Sequence, residues 1–195
     1  PDPLPQDISG MTRPVLGYLG SISGRINWEI MESVAEKFQE ASILLIGPEP
    51  ASGQPDAERL KTLCGRKNVR FIGPRLQERI MEYIRAFDIC LIPEPCGKLN
   101  VAGCPQKLWN YLASSRPIVS TNIPEQAQFQ PEVSIADNSD AFCGHIGRLI
   151  SCSGKDGFAD KRLQIAREHT WPKLAARLKG ILKAHNIFLG ENSCG

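Results

Sequence analysis

Lys107 is the residue in this sequence whose placement most needs a chemical reason. It stands in GCPQKLWNYLASSRPIVS, residues 103–120, near the start of a stretch patterned as a helix. A cation in a first helical turn sits among unpaired backbone N–H groups at the positive end of the helix dipole, an unfavourable setting. A phosphate there reverses the sign of the effect, because the amides and the ammonium then bind it together. The alternative is a lysine bent into solvent, where the penalty is about 0.3–1 kcal/mol and screened by salt. Lys107, Asn110 and Ser114 fall on one face by i, i+3 and i+7 spacing. Such a polar stripe suits a diphosphate and a ribose, or else is a solvated face. A second basic group follows the turn GYLGSISGR, in which Gly20, Ser21 and Gly24 make a flexible stretch that lets a ligand reach the backbone, with Arg25 just beyond. The commoner use of such a turn is an ordinary connection carrying a surface arginine. Glu94 is the only acidic residue in the long loop 93–107 and reads first as a surface carboxylate.

These residues need a scaffold that brings their loops together. Short apolar runs at 14–19 (PVLGYL), 42–47 (SILLIG), 69–73 (VRFIG), 88–92 (DICLI), 117–121 (PIVST) and 133–136 (VSIA) predict strands. Helical patterns lie between them: WEIMESVAEKFQE with Asn27 as its N-cap, then stretches near 56–64 and 76–86, and the one that opens at Lys107. Further helices are expected near 139–152 and 157–168 and in HTWPKLAARLKGILKA. In the opening helix Leu108, Tyr111 and Leu112 are left for the core. Strands apolar on both faces, alternating with helices, predict an α/β domain: a Rossmann-like parallel sheet with helices on both faces. Ligands bind such sheets outside the carboxyl ends of the strands, which singles out loops 20–27, 73–76 and 93–107. The glycines at 17, 20 and 24 do not fall at GxGxxG spacing, and no Lys-Ser/Thr follows them. A nicotinamide fingerprint and a Walker loop are both absent.

Composition narrows the classes further. With 195 residues, 42% of them hydrophobic, the chain can bury one good core and is expected to be a single domain, 1–195, with 1–12 a linker and 170–195 a C-terminal helix and tail. A net charge of +2 without a basic block argues against nucleic acid. No apolar run approaches the roughly 20 residues that cross a bilayer, so membrane association is at most peripheral. Seven cysteines, an odd number without a CxxC pair, fit a reduced, cytoplasmic setting, and Cys90 within AFDICLIP looks like a core residue. Three histidines, His145, His169 and His185, are not spaced as metal ligands, so neither a metal nor another cofactor is expected.

The segments RPVLGYLGSI, NVRFIGP, FDICLIP, CPQKLWNYLASSRPIVST and HTW occur in an order and spacing that resembles the donor-binding half of the group-1 glycosyltransferases, from about Arg13 to Leu182. The resemblance implies one half of the two-domain GT-B fold, with a nucleotide diphosphate sugar as donor substrate, no metal requirement and retention of anomeric configuration. It also implies that an N-terminal acceptor-binding domain is missing from this chain, which begins PDPLPQD without methionine. Carried over residue by residue, Gly20 and Ser21 lie under the donor phosphates with Arg25 nearby, and Gly73 and Pro74 border the base. Lys107 and the amides of Gly103, Cys104 and Gln106 cradle the diphosphate. The family's glutamate pair, spaced by seven residues, falls here on Ala102 and Asn110. Asparagine can still bond a ribose hydroxyl, without the strength of a charged acceptor. Ser115 replaces a glycine that the family places before the Lys/Arg-Pro after this helix, and Glu94 is a candidate contact to the sugar. The catalytic residues stay unassigned. The readings left open are a sugar-transferring enzyme, a nucleotide-sugar-binding module without turnover, and a sugar-nucleotide epimerase of the same fold.

Overall fold

The protein is described by a computed structural model covering residues 4–96 and 106–184. Six strands form one sheet: β1 (Val15–Leu19), β2 (Ser42–Ile46), β3 (Val69–Phe71), β4 (Ile89–Ile92), β5 (Ile118–Thr121) and β6 (Val133–Ala136). All pairings are parallel, and the spatial order is β3-β2-β1-β4-β5-β6. The order reverses between β1 and β4, where Leu16 pairs with Ile89.

Because side chains alternate across a strand, each strand feeds two cores. Leu16, Tyr18, Ile43, Leu45, Ile89, Leu91 and Val119 point to one face. There they meet α1 (Trp28–Lys37), α2 (Pro55–Cys64) and α6 (Ser139–Ser151) through residues such as Met31, Val34, Leu63 and Ile146. Val15, Leu44, Ile46, Cys90, Ile92 and Ile118 point to the other. That face is covered by α3 (Ile80–Ile84) and α4 (Gln106–Ser114), through Tyr83, Ile84, Leu108, Tyr111 and Leu112. Cys90 is fully buried, and burial pushes its thiol pKa well up, so it stays a protonated core group. The Asn27 side chain caps α1 by accepting from the Ile30 amide at 3.2 Å.

Some elements differ from expectation. The helix expected near 76–86 is a 3-10 turn, Gln77–Arg79, followed by the five residues of α3. A four-residue helix, α5 (Pro124–Ala127), begins on a proline that needs no amide partner and was not legible in the sequence. The segment expected as a linker is packed down at Ile8, 2% exposed, in a 3-10 turn, Gln6–Ile8. The last two helices are α7 (Ala159–Glu168) and α8 (Trp171–Ala184). Arg162 of α7 is buried, pairs with Asp156, and donates to the carbonyls of Glu132 at 2.7 Å and Ser115 at 3.2 Å. No residue of α8 is buried, and Trp171, Leu178 and Ile181 lie exposed along it. Among the described residues, no helix is long and apolar enough to cross a membrane.

Candidate functional site

The reversal between β1 and β4 opens a cavity of about 380 Å³ at the carboxyl ends of the strands. Gly20, Ser21 and Arg25 line it from the turn after β1, and Glu94 from the loop after β4. Gln106, Lys107 and Asn110 line it from the first turns of α4, and Pro74 and Arg75 from the loop after β3. These residues come from separate parts of the chain, and the sheet brings them to one place. Gly73 does not line the cavity; its carbonyl accepts from the Gly47 amide at 3.1 Å and so fixes the loop that carries Pro74. Ser114 is turned away, donating to the Tyr111 carbonyl within its own helix, so the expected polar stripe reaches the cavity only through Lys107 and Asn110. Gly103, Cys104 and Ala102 lie outside the described residues.

Two glycines let the ends of β1 and β2 meet. Gly20 and Gly47 have φ of +147° and +149°, values that side-chain-bearing residues rarely adopt. A Cβ on Gly47 would lie 1.9 Å from the Gly20 carbonyl oxygen, and one on Gly20 would lie 2.9 Å from Lys107 Nζ. The backbone of the turn is therefore exposed to whatever the lysine holds.

Lys107 is not in solvent. Its side chain is 11% exposed, and its Nζ lies 2.7 Å from Glu94 Oε1 and 3.3 Å from the Tyr18 hydroxyl. The ammonium also sits 4.6 Å from the centroid of the Tyr18 ring. Tyr18 in turn donates to the Ser21 carbonyl at 3.0 Å, so the lysine is connected to the β1 turn. Burial raises the Tyr18 pKa, although the Lys107 charge opposes it, and the phenol keeps its proton to make that bond. Glu94, read from the sequence as a surface carboxylate, is instead buried at 6% exposure. Its amide donates to Thr121 Oγ1 at 3.2 Å and its carbonyl accepts from that hydroxyl at 2.7 Å, which draws the residue onto the end of β5.

Arg75 is the main side chain that sequence reasoning missed. It lines the cavity on one side and on the other pairs with Asp7, at 2.6 Å from Nη2. Its Nε is 3.0 Å from the Tyr83 hydroxyl, and its Nη1 donates to the carbonyls of Ile72 and Pro74. Burial pushes the Asp7 pKa up, but the Arg75 and Tyr83 hydrogen bonds win and hold it below the ordinary value. A signal existed, since Arg75 directly follows the Gly-Pro that marks the loop, but nothing in the pattern names Asp7 as its partner. Tyr111 was placed correctly in the core, yet its hydroxyl also accepts from the Leu19 amide at 2.7 Å, fixing the end of β1 against α4. Among the described residues, no group of three or more His, Cys, Asp or Glu is placed to hold a metal ion.

The arrangement puts three cations, Arg25, Arg75 and Lys107, and the amide end of a nine-residue helix on one cavity. Oriented backbone donors and fixed positive charge of this kind bind anions such as phosphate. Residues 13–152 match the family model described as glycosyl transferases group 1. The TuaH protein of Bacillus subtilis (strain 168), named as a glycosyltransferase of teichuronic acid biosynthesis, is 26% identical over 168 residues. That match covers 84% of this chain and 42% of TuaH. Among solved structures, an E. coli trehalose-6-phosphate structure bound with UDP-2-fluoro glucose has a TM-score of 0.74 at 12% identity, covering 93% of this chain and 48% of that one. The Anabaena HepE structure in complex with UDP and glucose has a TM-score of 0.66 at 16% identity, covering 91% and 49%. At these identities the structural likeness shows the fold: a Rossmann-like half of the GT-B architecture. The chain spans about half the length of the proteins it matches.

Proposed function

The chain belongs to the group 1 glycosyl transferases, and on that footing we propose that it is the donor-binding half of an enzyme that moves a sugar from a nucleotide diphosphate sugar to an acceptor, with retention at the anomeric carbon. The observation that carries this reading is the meeting of Lys107, Arg25 and the start of α4 on the cavity at the β1/β4 reversal. In such a transfer the leaving group is a nucleoside diphosphate, so the same cations that bind the donor also stabilise the charge that develops as the bond to the sugar breaks. Gly20 and Ser21 take the phosphates on their backbone, Pro74 borders the base, and Asn110 accepts or donates to a ribose hydroxyl. Glu94 faces the sugar. The reading requires a second, acceptor-binding domain, no resident cofactor, and a cytoplasmic site with at most peripheral membrane contact. UDP is the first nucleotide to try, because solved relatives of the fold hold UDP or a UDP-sugar.

Asn110, which lines the cavity where the family has a glutamate, favours one other reading, a binding module without turnover. Calorimetry with UDP, GDP and dTDP tests the site: a diphosphate bound with a dissociation constant between micromolar and millimolar, roughly −8 to −4 kcal/mol, supports it. Saturable binding of none of the three overturns it. Sugar transfer by the full-length protein separates the enzyme from the module.

A further inference from the structure

Lys107, the cation best placed for a diphosphate, is already engaged. Glu94 Oε1 lies 2.7 Å from its Nζ, the two side chains are 8% and 11% exposed, and the Glu94 backbone is fixed by Thr121 on both its amide and its carbonyl. Tyr18 occupies a second ammonium donor at 3.3 Å. Across the cavity Arg75 is engaged with Asp7, Tyr83 and two backbone carbonyls. Among the described residues that line the cavity, Arg25 is the cation with no carboxylate at ion-pair distance. A phosphate that reaches Lys107 must therefore compete with a buried carboxylate for it.

Taking the nucleotide-sugar reading above as its basis, we infer that Glu94 is a specificity-determining residue that ties up Lys107 against a bare nucleoside diphosphate and releases it to a nucleotide sugar. When a phosphate oxygen takes the ammonium, the Glu94 carboxylate is left in the cavity wall without its partner. A buried carboxylate with unfilled acceptor positions is costly, and its charge also repels the phosphate beside it. A nucleoside diphosphate offers Glu94 nothing in return. A nucleotide sugar brings hydroxyl groups beyond the second phosphate, and these donate to the freed carboxylate. The exchange is then complete: the lysine passes from carboxylate to phosphate, and the carboxylate from lysine to sugar hydroxyl. After transfer the hydroxyls leave with the acceptor, Glu94 takes Lys107 back, and the diphosphate product loses its strongest contact. The pair thus favours the substrate over the product that resembles it.

The two ligands respond in opposite directions to removal of the carboxylate charge. Calorimetry on the full chain would use whichever of UDP, GDP and dTDP binds best together with its ester, UDP-glucose, GDP-mannose or dTDP-glucose. Glu94→Gln keeps the shape and removes the competitor, so the diphosphate should bind about three- to tenfold tighter, while the sugar ester gains nothing or weakens. The diphosphate gain should shrink when Lys107→Ala is present in both partners of the comparison, leaving only the part due to direct charge repulsion, as expected for residues that act as a pair. Glu94→Ala, checked for folding by circular dichroism, provides a second variant with the same expected sign. Unchanged or weaker diphosphate binding in both Glu94 variants overturns the inference while leaving the donor-site reading intact. So does a gain that is undiminished without Lys107, or one shared equally by the sugar ester. Binding of no diphosphate by wild type or variants overturns both.

Discussion

Lys107→Ala should weaken binding of a nucleoside diphosphate at least tenfold and leave the free nucleoside nearly unaffected, because a charge-assisted hydrogen bond to phosphate contributes about 1.5–3 kcal/mol. Titration of the variant with the diphosphate and the nucleoside in parallel checks this, and equal small effects on both would count against a phosphate role. Arg25→Ala should act in the same direction but more weakly, since a side chain on a turn must be ordered before it reaches the ligand. The salt dependence of diphosphate binding should also flatten in that variant, which titrations at two ionic strengths would show. At this scale the sequence was legible where position alone carries meaning. A lysine in the first turn of a helix and an arginine after a glycine turn are visible as oddities, and both line the cavity. Glu94 was not legible in the same way. Its burial follows from the hydroxyl of Thr121, a residue on another strand that clamps its backbone, and no spacing rule along the chain connects the two.

Elements with long, repeated patterns were legible, and short ones were not. The apolar runs located all six strands because a parallel sheet buried on both faces leaves little choice of residue type. The region after β3 was harder, since a 3-10 turn and a five-residue helix share the pattern of one longer helix. The end of α4 is where a departure from the family pattern acquires a physical meaning. Ser115 has φ +62°, in the left-handed region that a glycine adopts without strain. Its backbone carbonyl is what Arg162 contacts, and a glycine would retain it. Ser115→Gly should therefore stabilise the fold by up to about 1 kcal/mol, the strain relieved less the extra freedom of the unfolded chain. A urea titration showing no gain, or a loss, would mean that the serine side chain has a role the geometry does not show.

At the scale of the molecule, one buried arginine, Arg162, joins the late part of the chain to the residues that lead into β5 and β6. Arg162 and Asp156 are 1% and 5% exposed at their side chains, and the guanidinium also holds carbonyls at Glu132 and Ser115. Arg162→Ala leaves Asp156 buried and unpaired, so it should lower stability by about 3–5 kcal/mol. Chemical denaturation with an unchanged slope and a shifted midpoint would register it.

The strand order also sets a sequence of events in time. β1 is synthesised first among the strands but lies in the middle of the sheet, and its partner on one side, β4, is reached only at Ile89. At the roughly 5–20 residues per second of protein synthesis, several seconds separate the two. During that interval the nascent chain can assemble only the β3-β2-β1 half, with an unpaired edge where the centre of the finished sheet will be. Unpaired edges recruit other strands, so chains stalled before Ile89 should be the form most prone to stick to one another on the ribosome. Arrival of β4 closes that edge, and the far wall of the cavity, Glu94 and the first turns of α4, is made only after it, so a nascent chain cannot bind its ligand before it has passed its most aggregation-prone stage.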